Sequence, residues 1–236
     1  MFVVFHQKKI VQEEVNRQNL VIDYQKKMLK AALESQENER KRISKGLHDD
    51  VGMMLMTMRV SLNNQSKDDS SELMELMDKT HESVRRISWD LMPSTLDNFG
   101  LLQSTQEMCE RLSSRDATVV SYNEEGKRLS LDKDQELLIY RIVQEATANA
   151  LKHAHASHIN VNFRWTENSL LFTISDDGLG FDLSSIKNKI AGRHGLGLYN
   201  LENRVVLLGG KLIFEKNNPS GTVVSVTLPL ITHESY

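Results

Sequence analysis

From about Gln7 to Leu62 the chain has no proline and no cluster of turn-forming residues. A run of that length reads as helix. Weak heptad-like spacing opens it: Val4 and Val11, then Val15, Ile22 and Leu29, with Gln18 and Gln25 interrupting the second seam. This predicts a long, marginal coiled-coil helix over residues 1–38, better as a transmitter than as a glue. From Ile43 the pattern sharpens into an apolar stripe: Ile43, Leu47, Val51, Met54, Met58 and Leu62. Asn63 to Ser71 is a polar turn. A second amphipathic helix follows, with Leu73, Met77, Thr80, Val84, Ile87 and Leu91 on one face, stopped by Pro93. Two helices, each with one apolar stripe, make only a thin core. Pairing two such hairpins into a four-helix bundle buries the stripes, so residues 39–98 predict a homodimer.

After Gly100 the character changes. Leu101–Ser114 reads as a helix, Thr118–Tyr122 as a strand, and Leu131–His153 as a long helix introduced by Ser130 with an acidic first turn. INVNFRW and LLFTIS alternate around the turn Thr166-Glu167-Asn168, and KLIFE and TVVSVTLPL flank NNPSG. Between these hairpins GLGLYNLENRVVLLGG reads as a helix ending in glycines. The fold class is therefore α+β, with a two-layer α/β sandwich in residues 99–232.

The net charge is −3 with both signs mixed throughout, which gives no basic face for direct nucleic-acid binding. The single cysteine, Cys109, excludes an internal disulfide, fits a reducing compartment, and reads as a small buried apolar residue. The start, MFVVFHQKK, is too short to span a bilayer. It is either the end of a removed membrane helix, with lysines on the cytoplasmic side, or a plain helix start.

ERKRISKGLHDDVG, Glu39 to Gly52, holds two glycines inside helix, each costing about 1 kcal/mol against alanine. They flank His48, which falls at the edge of the apolar stripe and is open to solvent. The missing side chains at Gly46 and Gly52 leave room for something large to approach the imidazole. Asp49 could hold one ring nitrogen and raise the nucleophilicity of the other. An ordinary surface histidine in a charged helix would look the same in this segment alone.

In RIVQEATANALKHA, Arg141, Glu145, Asn149 and Lys152 form one polar stripe. The Asn149 amide oxygen can ligate Mg²⁺ and Lys152 can neutralise a phosphate; a solvated helix face is the plain alternative. DDGLG, Asp176 to Gly180, ends an apolar strand, where glycine permits close backbone approach and Asp176 could accept a hydrogen bond from an adenine amino group. GLGL, Gly195 to Leu198, opens a helix whose N–H groups can hold phosphate. The polar stretch 183–194 between them suits a mobile lid over nucleotide. Neither a P-loop nor a G-x-G-x-x-G fingerprint is present, Val205 standing where the first P-loop glycine would be relative to Gly210-Lys211. His153, His155 and His158 lack the cysteine or acid of a usual metal set.

Taken in order, these stretches resemble a sensor histidine kinase of two-component systems. ERKRISKGLHDDVG resembles the phosphoacceptor box of the nitrate-sensor and thermosensor (NarX/DesK-like) branch, and LMPSTLDNFGL that branch's second-helix end. QEATANALKHAHA resembles its N box, DDGLG and GLGLYNLENR its two glycine boxes, and GTVVSVTLPL the closing strand of the gyrase/Hsp90/kinase-type ATP-binding fold. The resemblance covers residues 38 to 230. It implies that His48 is phosphorylated by ATP, with Asp49 orienting or deprotonating it and Glu145 acting beside Asn149, the Mg²⁺ ligand. It implies further that Asp176 reads adenine, that Gly178, Gly180, Gly195 and Gly197 shape the pocket, and that Lys152 and Thr222 complete it. The phosphoryl group then passes to an aspartate of a response regulator, one expected to carry a DNA-binding output domain. The implied location is cytoplasmic, or the cytoplasmic part of an inner-membrane sensor. One departure stands out: four residues after Asp49, where the branch typically has Gln or His to position water, this chain has Met53, which implies a weak phosphatase. The competing expectation is a non-catalytic, ATP-binding coiled-coil scaffold; a simple ATPase would leave the hairpin and its histidine unexplained.

Overall fold

The computed structural model describes residues 2–63, 71–92, 94–113, 117–180 and 196–230. They divide between two compact units, Met1–Ser94 and Thr95–Tyr236. Most of the polar turn after Asn63, Pro93, the lid stretch 183–194 and Gly195 lie outside the described residues.

The first unit is helical. Helix α1, Phe2–Gly46, has 45 residues and is roughly 68 Å long at 1.5 Å per residue. Phe5, Ile10, Val15, Ile22 and Met28 are exposed along it. A π-helical turn, Leu47–Gly52, continues the backbone, with Gly46 and Met53 on either side both in the right-handed helical region. Helix α2 is Met53–Asn63. The uninterrupted α-helical stretch expected through Ser44–Gly52 is thus corrected to a wider turn. Two steps of four, Ile43 to Leu47 to Val51, drift roughly 40° each on an α-helix, and a turn closed by i→i+5 bonds takes that drift back.

Helix α3, Ser71–Leu91, packs on α1 and the π-turn, with two serines at the crossing. Ser44 Oγ–H donates to the Ser88 carbonyl at 2.9 Å and Ser88 Oγ–H to the Ser44 carbonyl at 3.1 Å. Both serines are buried, as is Met77. The apolar stripes are largely uncovered in a single chain: Ile43 is 40% exposed, Met54 58%, Leu73 46% and Ile87 46%.

The second unit begins with α4, Ser94–Ser113, which turns at Gly100 (φ 77°, ψ −177°), a backbone that glycine holds without strain. Strand β1 is Val119–Glu125, α5 Lys133–His153, β2 His158–Trp165, β3 Ser169–Asp176, α6 Leu196–Leu207, β4 Lys211–Lys216 and β5 Thr222–Pro229. The sheet order is β1-β2-β3-β5-β4. β1 runs parallel to β2, while the β2–β3, β3–β5 and β4–β5 pairs are antiparallel. Alternate residues point inward: Ile159, Val161, Phe163 and Trp165 on β2, Leu170, Phe172 and Ile174 on β3, and Val224, Val226 and Leu228 on β5. Onto this face α5 places Ile139, Ile142, Val143, Ala146 and Ala150, α4 places Leu101 and Met108, and α6 places Leu201 and Val205. That is a two-layer α/β sandwich, and the chain as a whole is α+β.

The start of α5 differs from expectation by two residues. Asp132, not Ser130, is the cap: its carboxylate accepts from the Gln135 N–H at 2.8 Å, and the Gln135 side chain accepts from the Asp132 N–H at 3.0 Å. This reciprocal pair satisfies two otherwise orphaned donors, which a lone serine would not. At the other end His155 takes φ 50°, the left-handed residue that commonly ends a helix.

Phe172 is fully buried and stacks on Phe163 with ring centroids 5.5 Å apart. Phe172→Ala should destabilise the second unit by about 3–5 kcal/mol, read as a shift of its denaturant midpoint.

Candidate functional site

In the first unit, His48 lies on the π-turn with an exposed ring, and Asp49 beside it is half-buried. Among the described residues neither side chain has a hydrogen bond or ion pair, so the expected Asp49–His48 contact is not made. A Cβ on Gly46 would meet only Asp50 Oδ2 at 3.9 Å, and one on Gly52 only the Leu47 carbonyl at 3.8 Å. Neither glycine is demanded by its own surroundings; the space they free is outward. A groove of about 430 Å³ opens beside the histidine, lined by His48, Gly52, Met53, His81, Arg85 and Trp89 among others. Met53 is 69% exposed.

In the second unit, strand periodicity sorts the two acids of DDGLG. Asp176, the last residue of β3, points inward and is 5% exposed. Its carboxylate accepts from the Gly178 N–H at 3.0 Å, and its main-chain carbonyl accepts from Asn217 Nδ2 at 2.7 Å. Burial pushes this carboxyl above the usual range, while the N–H groups of Gly178 and Thr222 pull the other way. The Thr222 hydroxyl lies by the carboxylate, but its Oγ1 is buried without a well-formed hydrogen bond, as is Thr147 Oγ1 on α5.

Three glycines let backbones close around Asp176. A Cβ on Gly178 would run into the Ala154 carbonyl, one on Gly221 into the Asp176 carbonyl, and one on Gly180 would come within 2.9 Å of the Gly221 carbonyl. Gly180 and Gly221 also take φ 74° and 104°. Gly221, Asn217 and Thr147 did not stand out in the sequence. Gly221 and Asn217 carried a signal only as the two ends of the turn NNPSG before a strand; Thr147 carried none.

Glu145 and Asn149 are half-buried on α5 and Lys152 is exposed. Gly197 on α6 lies directly against them: a Cβ there would collide with Glu145 Oε1 and come within 3.5 Å of Asn149 Nδ2. Arg141 is a correction to the predicted stripe. It is 2% exposed and donates from Nη1–H to Gln144 Oε1 at 2.8 Å, so only Glu145, Asn149 and Lys152 remain to meet a ligand. A carboxylate and an amide oxygen side by side are the hard donors that Mg²⁺ accepts, with water and phosphate completing its shell. Cys109 is 1% exposed, and burial pushes its thiol up to about 12, which leaves it inert at neutral pH.

Asp177 faces the other way. Its Oδ1 accepts from the Ser157 and His158 N–H groups at 2.8 and 2.9 Å, and its Oδ2 lies 3.0 Å from His158 Nδ1. The second acid thus ties the α5–β2 turn to the end of β3.

Residues 134–232 match the family described as histidine kinase-, DNA gyrase B-, and HSP90-like ATPase. The oxygen sensor histidine kinase NreB of Staphylococcus carnosus is 32% identical over 228 residues, covering 93% of this chain. The chain spans 64% of that relative's length. Among solved structures, full-length ShkA in complex with AMPPNP matches with a TM-score of 0.52 and 14% identity, over 86% of this chain and 47% of ShkA. The histidine kinase domain of the Erythrobacter litoralis EL346 blue-light activated histidine kinase gives a TM-score of 0.49 and 18% identity, over 75% of this chain and 96% of that one. At 14% identity the ShkA match speaks to the fold alone.

The bonds from His158 and Ser157 hold the Asp177 carboxyl below the usual range. Its contribution is therefore complete above about pH 4 and fades as pH falls through the lowered folded-state value. Asp177→Ala should cost about 1–2 kcal/mol at pH 7 after allowance for solvent screening. The gap between wild type and variant, followed by thermal denaturation, should close on acidification below pH 4.

Proposed function

We propose that this chain, which is 32% identical to a sensor histidine kinase and matches the histidine kinase-, DNA gyrase B-, and HSP90-like ATPase family over residues 134–232, is a dimeric, ATP-dependent protein-histidine kinase that phosphorylates His48 and passes the phosphoryl group to a response regulator. The observation that carries this reading is the approach of Gly197 to both Glu145 and Asn149. It sets the opening turn of α6, a source of backbone N–H groups for phosphate, against the oxygen donors suited to a phosphate-bound cation.

In the proposed reaction a ring nitrogen of His48 attacks the γ-phosphorus of ATP. A P–N bond forms, the bond from that phosphorus to the β–γ bridging oxygen breaks, and ADP leaves with the electron pair. Asp49 orients the imidazole or takes the proton from its other nitrogen. Magnesium, when bound, supplies charge neutralisation. Asn149 offers it an amide oxygen with Glu145 alongside, and Lys152 meets a phosphate. Asp176 accepts from the adenine amino group, with the buried Thr222 hydroxyl beside it, and Gly178, Gly180 and Gly197 shape the pocket. In the second transfer the P–N bond breaks as a P–O bond forms to a regulator aspartate.

The exposed Ile43, Met54, Leu73 and Ile87 supply the surface for a second copy to complete a four-helix bundle. Among the described residues no helix is long and apolar enough to cross a membrane. The DNA-binding output domain of the regulator and the cytoplasmic location belong to the same proposal.

Incubation with γ-labelled ATP and Mg²⁺ should give acid-labile, alkali-stable label, abolished in His48→Gln and reduced about 100-fold or more in Asn149→Ala. ATP binding without label would instead support a scaffold. Met53→Gln should raise dephosphorylation of the phosphorylated regulator several-fold; an unchanged rate would mean that the thioether is no obstacle.

A further inference from the structure

The groove beside His48 has a composition that phosphoacceptor chemistry alone does not require. Among its lining residues are the imidazoles of His48 and His81 and the guanidinium of Arg85, with no carboxylate. The remainder is apolar or backbone: Gly52, Met53, Met56, Val84 and Trp89. In a helical unit where acids and bases are mixed throughout, a lining with a guanidinium and two imidazoles but no carboxylate marks this groove as one suited to a negative guest.

Arg85 is held for that purpose. Its guanidinium carbon lies 4.7 Å from the ring centre of Trp89, one turn further along α3. Stacking on indole orients the planar fork while leaving its N–H edges available. Among the described residues Arg85 makes no ion pair. A planar fork with free donors matches the oxygens of a phosphoryl group.

The groove also stays open if the hairpin pairs with a second copy. At 100° per residue, Leu73, Leu76 and Ile87, exposed apolar residues of α3, lie roughly 120–180° round the helix from Arg85. A partner covering that apolar face leaves the Arg85 face free.

We propose that Arg85, oriented by Trp89, binds the phosphoryl group once it is attached to His48, so that the groove is a phosphoryl subsite of the helical unit itself. This rests on His48 being the phosphoacceptor. Arg85 stabilises the phosphorylated imidazole; it takes no part in nucleotide binding, which belongs to the other unit.

The test uses the full chain and two phosphoryl donors. ATP loads His48 through the ATPase domain. Phosphoramidate transfers its phosphoryl group to a ring nitrogen directly and leaves as ammonia. Wild type, Arg85→Gln and Arg85→Lys are loaded by each route, and the decay of phosphohistidine is followed after the donor is removed, with circular dichroism melting as the check on folding. Arg85→Gln should shorten the lifetime of the phosphorylated state about tenfold by both routes, leave nucleotide affinity unchanged, and move the ³¹P resonance; Arg85→Lys should recover part of the lifetime. Equal lifetimes and an unmoved resonance in all three proteins overturn the subsite while leaving the kinase reading intact. Absence of ATP-derived label in wild type overturns the kinase reading instead, and the phosphoramidate-loaded samples then still judge Arg85. If wild-type His48 takes label from neither donor, both ideas fail. Should Arg85→Gln not fold, Arg85→Lys and the ³¹P signature of the wild type against it decide.

Discussion

The second unit is organised around a carboxyl group taken out of water. Asp176 occupies an inward position of β3, continuing the row of Leu170, Phe172 and Ile174. An acid at that place is tolerable only if something polar meets it. The chain meets it with backbone: the Gly178 N–H turns back onto the carboxylate, and Gly221 presses its main chain against the Asp176 carbonyl. Each approach is too close for a side chain. Gly221 is set by its contact with this aspartate, while Gly178 and Gly180 clear the Ala154 and Gly221 carbonyls beside it; the burial of Asp176 itself follows from the two-residue period of a strand.

The helical unit is governed by a shortage. Its buried side chains are few: Ser44 against Ser88 at one level, and Met77 about three turns away along α3. Small residues at the crossing let the helices approach, but they bury little apolar area. Many of its apolar side chains are exposed, Ile43, Met54, Leu73 and Ile87 among them. Met53, Met54, Met56 and Met58 are all exposed on α2, and methionine adapts to partners of different shape better than branched side chains do.

How much of this could be read from residues alone depended on how local the cause was. Strand alternation is local, so β2, β3 and β5 followed from INVNFRW, LLFTIS and TVVSVTLPL; the inward setting of Asp176, one residue past LLFTIS, was not read from it. The cap of α5 was readable but misassigned: Ser130 and Asp132 both qualify as caps, and Gln135, three residues after Asp132, was the discriminating partner. Arg141 was read as part of the polar stripe with Glu145, Asn149 and Lys152 because spacing on a helix says nothing about how far neighbouring elements wrap around it. Gly221 against Asp176 and Gly197 against Glu145 join residues remote in sequence, and no local pattern announces such contacts. Ser44 and Ser88 were passed over because a search for apolar stripes ignores small polar residues that serve as spacers.

The π-turn at Leu47–Gly52 has one more consequence. A turn closed over five residues carries one residue more than its α-helical counterpart, so α1 and α2 do not share a common phase although the backbone never leaves helical geometry. A heptad count begun at Val11 and carried past Gly52 therefore assigns every position of α2 to a neighbouring face, an offset of roughly 100°. Residue-by-residue scans across this hairpin have to restart their numbering at Met53, and any torque applied to α1 arrives at α2 by way of the segment that holds the histidine.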